Sequence, residues 1–323
     1  MRVTDSPKKI CAGELRVHGS ADAMAEAVGE EAETPVPGKL GLTRHILLAV
    51  VVSSLLFLGL AAYGDFHQVM AGLIDFPARA WLTALGLALV NYFLRSLRWH
   101  YYLRRLGLRP TPAFSLMTFM AGLAMAVSPA KVGELVKSYL LKRAAGVPFS
   151  RSLPLLLAER GTDALALIVL AAAFGAARRS GGLGLVSVCV VALATILLSM
   201  KGERFWYRLI DVIKRLPHGE RVASAVAGGY VTLREVFGGW ALTVGTTVAL
   251  AAWFAECYAL LVVARAAGAG DIAVPQATVY YALATLAGAA TMAPGGLGAT
   301  EAALSAMMVA SGIAPHVAVT ATL

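Results

Sequence analysis

The chain of 323 residues is 58% hydrophobic and only 15% charged, with a mean hydropathy of +0.71. Soluble domains carry about 25% charged residues, so the composition excludes an ordinary soluble protein and predicts an all-α integral membrane protein. The formal charge of +9 does not point to nucleic acid, because the basic residues gather in short connections between apolar runs, the signature of a cytoplasmic membrane face. Cys11, Cys189 and Cys257 are scattered and odd in number and the six histidines are isolated, so no disulfide framework, metal site or cofactor is expected.

Residues 1–44 are polar and of mixed charge, with Pro35 and Pro37 and no apolar core of the kind a signal peptide needs. They are expected to be a disordered cytoplasmic tail, a misassigned start codon being the alternative. The membrane domain is expected over residues 45–323. Its first span, 46–63, approaches the roughly 20 residues that cross a bilayer, and Lys39 and Arg44 place its start inside. A mostly uncharged outer link (65–77) leads to a second span over 80–97. Arg95, Arg98, Arg104, Arg105 and Arg109 then read as a cytoplasmic basic cluster, with Trp99, Tyr101 and Tyr102 in the interfacial aromatic belt.

An apolar run from Phe114 to Val127 is interrupted by Ser128-Pro129-Ala130-Lys131-Val132-Gly133-Glu134. Proline removes a backbone donor and clashes with the preceding turn, so the helix stops and restarts. Lys131, Lys137, Lys142, Arg143 and Arg151 follow, as basic as the cluster before. With both flanks cytoplasmic, residues 113–145 do not cross but form a re-entrant hairpin. The next span, 152–174, runs outward and carries Glu159, Arg160 and Asp163 at spacings that let them share one helix flank. Arg160 is expected to neutralise both carboxylates. An intramembrane charge is a functional hypothesis by default; a structural salt bridge facing the bundle interior is the alternative.

An outer loop holds Arg178 and Arg179, against the charge rule, and residues 183–200 cross inward. Residues 201–234 mix seven basic residues with Phe205, Trp206, Tyr207, Leu209, Ile210 and Ile213, which predicts one or two helices at the cytoplasmic surface. A span over 240–263, holding Glu256, leads outward. A second long apolar run, 277–310, is broken by Met292-Ala293-Pro294-Gly295-Gly296-Leu297-Gly298-Ala299-Thr300-Glu301. Here the helix should stop near Met292 and restart near Gly298. Three crossings separate the two breaks, so the second hairpin enters from the opposite face. The expected architecture is a polytopic helical bundle with two re-entrant broken-helix hairpins in an inverted repeat, the plan of many transporters. A final span would begin near Ala314, where too few residues remain to cross, so the chain reads as truncated.

Broken backbone in lipid is tolerated only where protein or a water-filled cavity satisfies it. A helix restarting after Pro129 or Pro294 presents unpaired N–H groups and a positive dipole end, and Gly133, Gly295, Gly296 and Gly298 let a ligand approach closely. Lys131 and Arg160 are the charge partners expected for a phosphate or other anionic headgroup. Glu134 and Glu301 are expected to face one polar cavity and to meet a headgroup amine or carry protons. The alternative for each is capping of its own hairpin's backbone donors.

Arg98-Trp99, Pro129-x-x-x-Gly133-Glu134, Glu159-Arg160-x-x-Asp163 and Pro294-Gly295-Gly296-Leu297-Gly298-x-x-Glu301 together resemble the lysylphosphatidylglycerol synthase transmembrane region, or flippase-like membrane family. The resemblance covers about residues 45–323; the last motif is fairly specific and the other three are weak singly. Members resemble the membrane half of the bacterial multiple peptide resistance factor, which moves aminoacylated phosphatidylglycerol between leaflets; others occur beside glycolipid and hopanoid pathways. The soluble aminoacyl-transferase domain is not in this chain, and Ala130-Lys131 stand where glycine or arginine is expected. The resemblance implies lipid translocation across the inner (cytoplasmic) membrane and no enzymatic step, with a membrane lipid as substrate. A homo-oligomer and a separate lipid-modifying enzyme are the further partners it suggests. Two other classes stay open: a secondary transporter of a small anionic solute, and an intramembrane prenyl-pyrophosphate phosphatase, whose chemistry needs a serine and an arginine that the APGGLGATE turn does not hold.

Overall fold

The computed structural model describes residues 58–59, 62–125, 134–176, 203–215, 219–291 and 296–323. Nearly all of the expected 46–63 span, the expected 183–200 span, and Pro129, Lys131, Gly133, Pro294 and Gly295 lie outside the described residues. The described residues are helical throughout, with short connections and no strand. In chain order the helices are α1 (Phe66–Ile74), α2 (Ala78–Arg105), α3 (Pro112–Ala124), α4 (Leu135–Ala145), α5 (Phe149–Ala176), α6 (Glu203–Lys214), α7 (Gly219–Phe237), α8 (Trp240–Ala266), α9 (Val274–Ala290), α10 (Ala299–Ala310) and α11 (Pro315–Thr322).

Local chemistry sets the boundaries. The link expected over 65–77 contains α1, because Asp65 accepts from the His67 N–H at 3.2 Å and caps a helical turn. Thr111 caps α3 in the same way, accepting from the Phe114 N–H, with Pro112 at the first helical position. Gly146, at φ 63°, ends α4 in the left-handed conformation, and the Val147 N–H closes back onto the Leu141 carbonyl at 3.3 Å. Both broken runs stop and restart close to where Pro129 and Pro294 require. The first leaves α3 at Ala124 and resumes at Leu135; the second leaves α9 at Ala290 and resumes at Ala299.

Packing places α2 against α8 as the most extensive pair, with α5 in contact with α7, α8 and α9. The α3–α4 pair rests on α2 and α5, the α9–α10 pair on α8 and α5, and α11 joins α10 to α1. The α8 face toward α2 carries Ala241, Gly245, Ala249 and Ala252, all buried. Small residues four apart let two helices approach closely, and a Cβ on Gly245 would overlap the Tyr102 hydroxyl. Asn91 of α2 donates to the Ala252 carbonyl across this seam at 2.8 Å.

Helix α2 is inside out by the standards of a soluble protein. Leu82, Leu85, Leu89 and Phe93 are exposed, whereas Asn91, Arg95, Arg98 and Tyr102 are buried. An apolar outer face over a polar inner one is the arrangement of a helix solvated by lipid. By length and composition, α2 and α8 are each able to cross a membrane.

The surface helices expected over 201–234 are two, α6 and α7. Trp206 stacks on Tyr230 with ring centroids 5.1 Å apart, and α7 is packed onto α5, with Ala223, Tyr230, Thr232 and Val236 buried. It is therefore part of the bundle and not only a surface element.

Candidate functional site

The middle of α5 organises the site. Glu159, Thr162 and Asp163 are buried, and Arg160, the adjacent pair Asp163 and Ala164, and Leu167 recur one helical turn apart along a stripe that walls a cavity of about 770 Å³. The facing walls come from α2 (Tyr92, Arg95), α3 (Phe119, Gly122), the start of α4 (Glu134, Lys137), α8 (Trp253), α9 (Tyr281, Thr285, Gly288) and the second restart (Gly296, Thr300, Glu301).

Asp163 is the hub. Its Oδ1 accepts from Arg98 Nη2 at 2.7 Å and from Trp253 Nε1 at 3.0 Å; its Oδ2 lies 3.4 Å from both Arg95 Nη2 and Arg160 Nη2. Arg98 also donates to Thr162 Oγ1 at 3.1 Å. Glu159, with no exposed surface, accepts from Lys137 Nζ at 2.8 Å. The same ammonium sits 4.7 Å from the ring centroids of both Trp99 and Phe119, a cation–π cage worth about 0.5–2 kcal/mol per ring depending on desolvation. Arg95 lies 5.4 Å from the Trp253 ring and 6.0 Å from that of Phe119. Low dielectric makes each pair strong and each unpaired member costly.

Four expectations need correction. Arg160 is not the neutraliser of Glu159, which is held by Lys137, and it is one of three cations around Asp163. Arg95 and Arg98 are not loop arginines, because α2 continues to Arg105 and carries both into the interior. Lys137 is not a cytoplasmic flank residue but is 2% exposed within the network. Trp99 and Tyr102 are fully buried core residues and not interfacial anchors. The spacing of Asn91, Arg95, Arg98 and Tyr102 at i, i+4, i+7 and i+11 was the signal that would have placed them on one inward face.

Glu134 and Glu301 both reach the cavity wall, but they are held differently. Glu134 lies at the start of α4, makes no capping hydrogen bond, and brings Oε2 to 3.5 Å from Arg160 Nε. Glu301 Oε2 accepts from the Gly298 N–H at 2.6 Å, closing back on the first residue of its own restart. Gly298 there adopts φ 84°, a conformation disfavoured with a side chain. The Glu301 geometry is the capping alternative. Of the expected residues, the structure thus gathers Glu134, Arg160, Asp163, Gly296 and Glu301 around one cavity, with Glu159 bonded to Lys137 and Gly298 bonded to Glu301.

Opposite each break, a glycine admits a second-half side chain. A Cβ on Gly122 of α3 would overlap the Lys137 stem, and one on Gly288 of α9 would overlap Thr300 Oγ1. Tyr281, further up α9, donates to Glu256 of α8 at 3.3 Å. Among the described residues no group of His, Cys, Asp and Glu could hold a metal ion.

The chain is 27% identical over 198 residues to a UPF0104 membrane protein of Methanothermobacter thermautotrophicus, an alignment covering 56% of this chain and 58% of that relative. It therefore spans little more than half the length of that protein. A family profile described as "Lysylphosphatidylglycerol synthase TM region" matches residues 46–323. With a match that covers all but the first 45 residues, the chain belongs to this family, the lysylphosphatidylglycerol synthase transmembrane region.

Proposed function

We propose that the protein moves a phospholipid, or another lipid with an anionic or zwitterionic headgroup, between the leaflets of a bacterial cytoplasmic membrane, as a transporter and not as an enzyme. The observation that carries this reading is the cavity. Its volume of about 770 Å³ falls in the roughly 300–1,000 Å³ range of small-molecule sites. Arg95, Lys137 and Arg160 share its wall with Glu134, Asp163 and Glu301, while Leu123, Leu167, Leu286 and Leu297 line the remainder. Charged groups of both signs suit a polar headgroup that must leave water, and leucines suit the glycerol and acyl portion that follows it. A headgroup loses its hydration when it crosses, and fixed protein charges replace that hydration.

In this reading the α3–α4 and α9–α10 pairs are re-entrant hairpins entering from opposite faces, the two halves of an inverted repeat. Each contributes one wall at mid-membrane. Single cysteines in place of Arg109 and Ser150 test the topology: both should label from the cytoplasmic side, and labelling from opposite sides removes the first hairpin.

The functional test is translocation in proteoliposomes. With a fluorescent phospholipid in both leaflets and a membrane-impermeant quencher outside, vesicles holding the full chain should lose signal from the inner leaflet, and Asp163→Asn should block that loss. A wild-type protein that leaves inner-leaflet lipid protected, with every headgroup class tried, sinks the reading.

A further inference from the structure

We infer that Arg160 is the residue that takes the anionic oxygens of the ligand, and that Glu134 is its built-in competitor, displaced when the anion binds. This inference rests on the lipid-transport reading above and assigns the chemistry at that site: a phosphate monoester or diester.

The observation behind it is how unequally the described cations are committed. Arg98 has no exposed side-chain surface and donates to Asp163 at 2.7 Å and to Thr162 at 3.1 Å. Lys137 is 2% exposed, bonded to Glu159 at 2.8 Å and enclosed by Trp99 and Phe119. Arg95 is 9% exposed and faces the Trp253 and Phe119 rings while contacting Asp163. Arg160 alone among them is a third exposed. Because it lies on the cavity wall, that exposure opens into the cavity. Its contacts are long, 3.5 Å to Glu134 and 3.4 Å to Asp163, against 2.7 Å for Arg98 and 2.8 Å for Lys137. A guanidinium with free donors in a confined cavity is the group best suited to a planar or tetrahedral oxyanion, which it grips with two parallel N–H bonds.

Charge balance points the same way. The ion-pair network joins Arg95, Arg98, Lys137 and Arg160 to Glu134, Glu159 and Asp163, four cations to three carboxylates. The remaining carboxylate on the cavity wall, Glu301, commits Oε2 to the Gly298 N–H. Asp163 is held by three other partners and does not need Arg160. Among the described residues Arg160 is the side-chain partner of Glu134, and because Asp163 keeps Arg98, Trp253 and Arg95, Arg160 can turn from Glu134 to a phosphate oxygen without orphaning Asp163. The start of α4 would then be released on the Glu134 side while Lys137–Glu159, one turn on, keeps it attached to α5. Ligand binding would thereby be felt at the start of α4 through one exchangeable contact.

The test uses the full chain in detergent with glycerol phosphate as the probe, measured by isothermal titration beside glycerol as the uncharged control. Glu134→Gln removes the competitor and raises the fraction of Arg160 free to bind, so it should tighten glycerol phosphate by roughly threefold or more. Arg160→Gln should weaken it at least about tenfold. Arg160→Lys, which keeps the charge without the fork, should fall between and guards against a folding defect in the glutamine variant. If Glu134→Gln binds no tighter than wild type, the competition is wrong; if Arg160→Gln and Arg160→Lys both bind as wild type does, the anion site is elsewhere. Inorganic phosphate distinguishes the source. Weaker binding than glycerol phosphate supports a lipid headgroup, whereas equal or tighter binding overturns the headgroup assignment while leaving the Arg160 exchange standing. A chain that shows the Glu134 and Arg160 effects but moves no lipid in vesicles refutes the transport reading alone.

Discussion

The two broken segments share a plan in sequence, proline then glycine then glutamate, yet their surroundings are built from different physics. Around the first, large aromatic side chains (Trp99, Tyr102, Phe114 and Phe119) form one core cluster with leucines, and buried ions run through it. Around the second, the cluster is assembled largely from alanines with Leu260, Leu261, Leu304 and Met308, and the polar contacts are hydroxyl and backbone bonds such as Thr300 Oγ1 to the Gly296 carbonyl at 3.0 Å. The shared motif therefore specifies where a helix stops and restarts, and not what the restart does. Lys137 against Glu159 ties the first restart to α5; Glu301 ties the second to itself.

The largest expected effect comes from cutting the first tie. Lys137→Met leaves Glu159 buried and unpaired, a loss of about 3–5 kcal/mol, or on the order of 10 °C in unfolding temperature. Thr300→Val, the matching cut at the second break, removes one neutral hydrogen bond and should cost about 1 kcal/mol. Thermal unfolding of the full chain in detergent reads both. Equal shifts would mean that the ion pairs around the first break are exposed to water in solution and that the contrast between the two cores does not carry into stability.

A subtler cut separates the two glycines. Gly122→Ala places a methyl against a Lys137 stem that cannot move, because its ammonium is fixed by Glu159 and two rings. Overpacking of that kind costs about 1–3 kcal/mol. Gly288→Ala meets Thr300 Oγ1, which can rotate away at the cost of one hydrogen bond, about 1 kcal/mol. The expected order of unfolding temperatures is wild type, then Gly288→Ala, then Gly122→Ala. The reverse order would show that the second break is the more rigid of the two.

The difference between the breaks also marks what a reader of the sequence could see. Prolines and glycines act locally, so the gaps between Ala124 and Leu135 and between Ala290 and Ala299 follow from residues within a few positions. The charge network is not local. Arg98 and Asp163 lie 65 residues apart and Lys137 and Glu159 22 apart, and only the packing of α4 on α5 and of α2 and α5 on the same neighbour, α8, brings them together. Counting basic residues near span ends treats an arginine at the end of a helix as solvated. Arg95 and Arg98 escaped that rule because α2 runs on to Arg105 and turns both inward. For Glu301 the sequence favoured ligand binding and kept capping as the alternative, and the 2.6 Å contact to the Gly298 N–H depends on a turn geometry that composition does not specify.

The smallest expected effect bears most directly on whether the two glutamates do the same work. Glu301→Gln keeps an oxygen that accepts from the Gly298 N–H and loses only the attraction of a charge for the helix start, about 0.3–1 kcal/mol. Glu301→Ala loses the acceptor as well, which for helix-start caps costs about 0.5–2 kcal/mol. Glu134→Gln gives up no cap, since Glu134 makes none; what it loses is the 3.5 Å ion pair with Arg160, so its effect on stability comes through that pair and not through the turn. If Glu301 serves only its own turn, Glu301→Gln moves lipid at the wild-type rate and Glu301→Ala is slowed only as far as its unfolding temperature falls. If Glu301→Gln is as stable as predicted yet inactive in vesicles, the carboxylate charge itself meets the ligand. Glu301, on the same cavity as Arg160, would then be the acceptor for a headgroup amine. The two breaks, different in how they are held together, would in that case converge on one ligand from opposite walls.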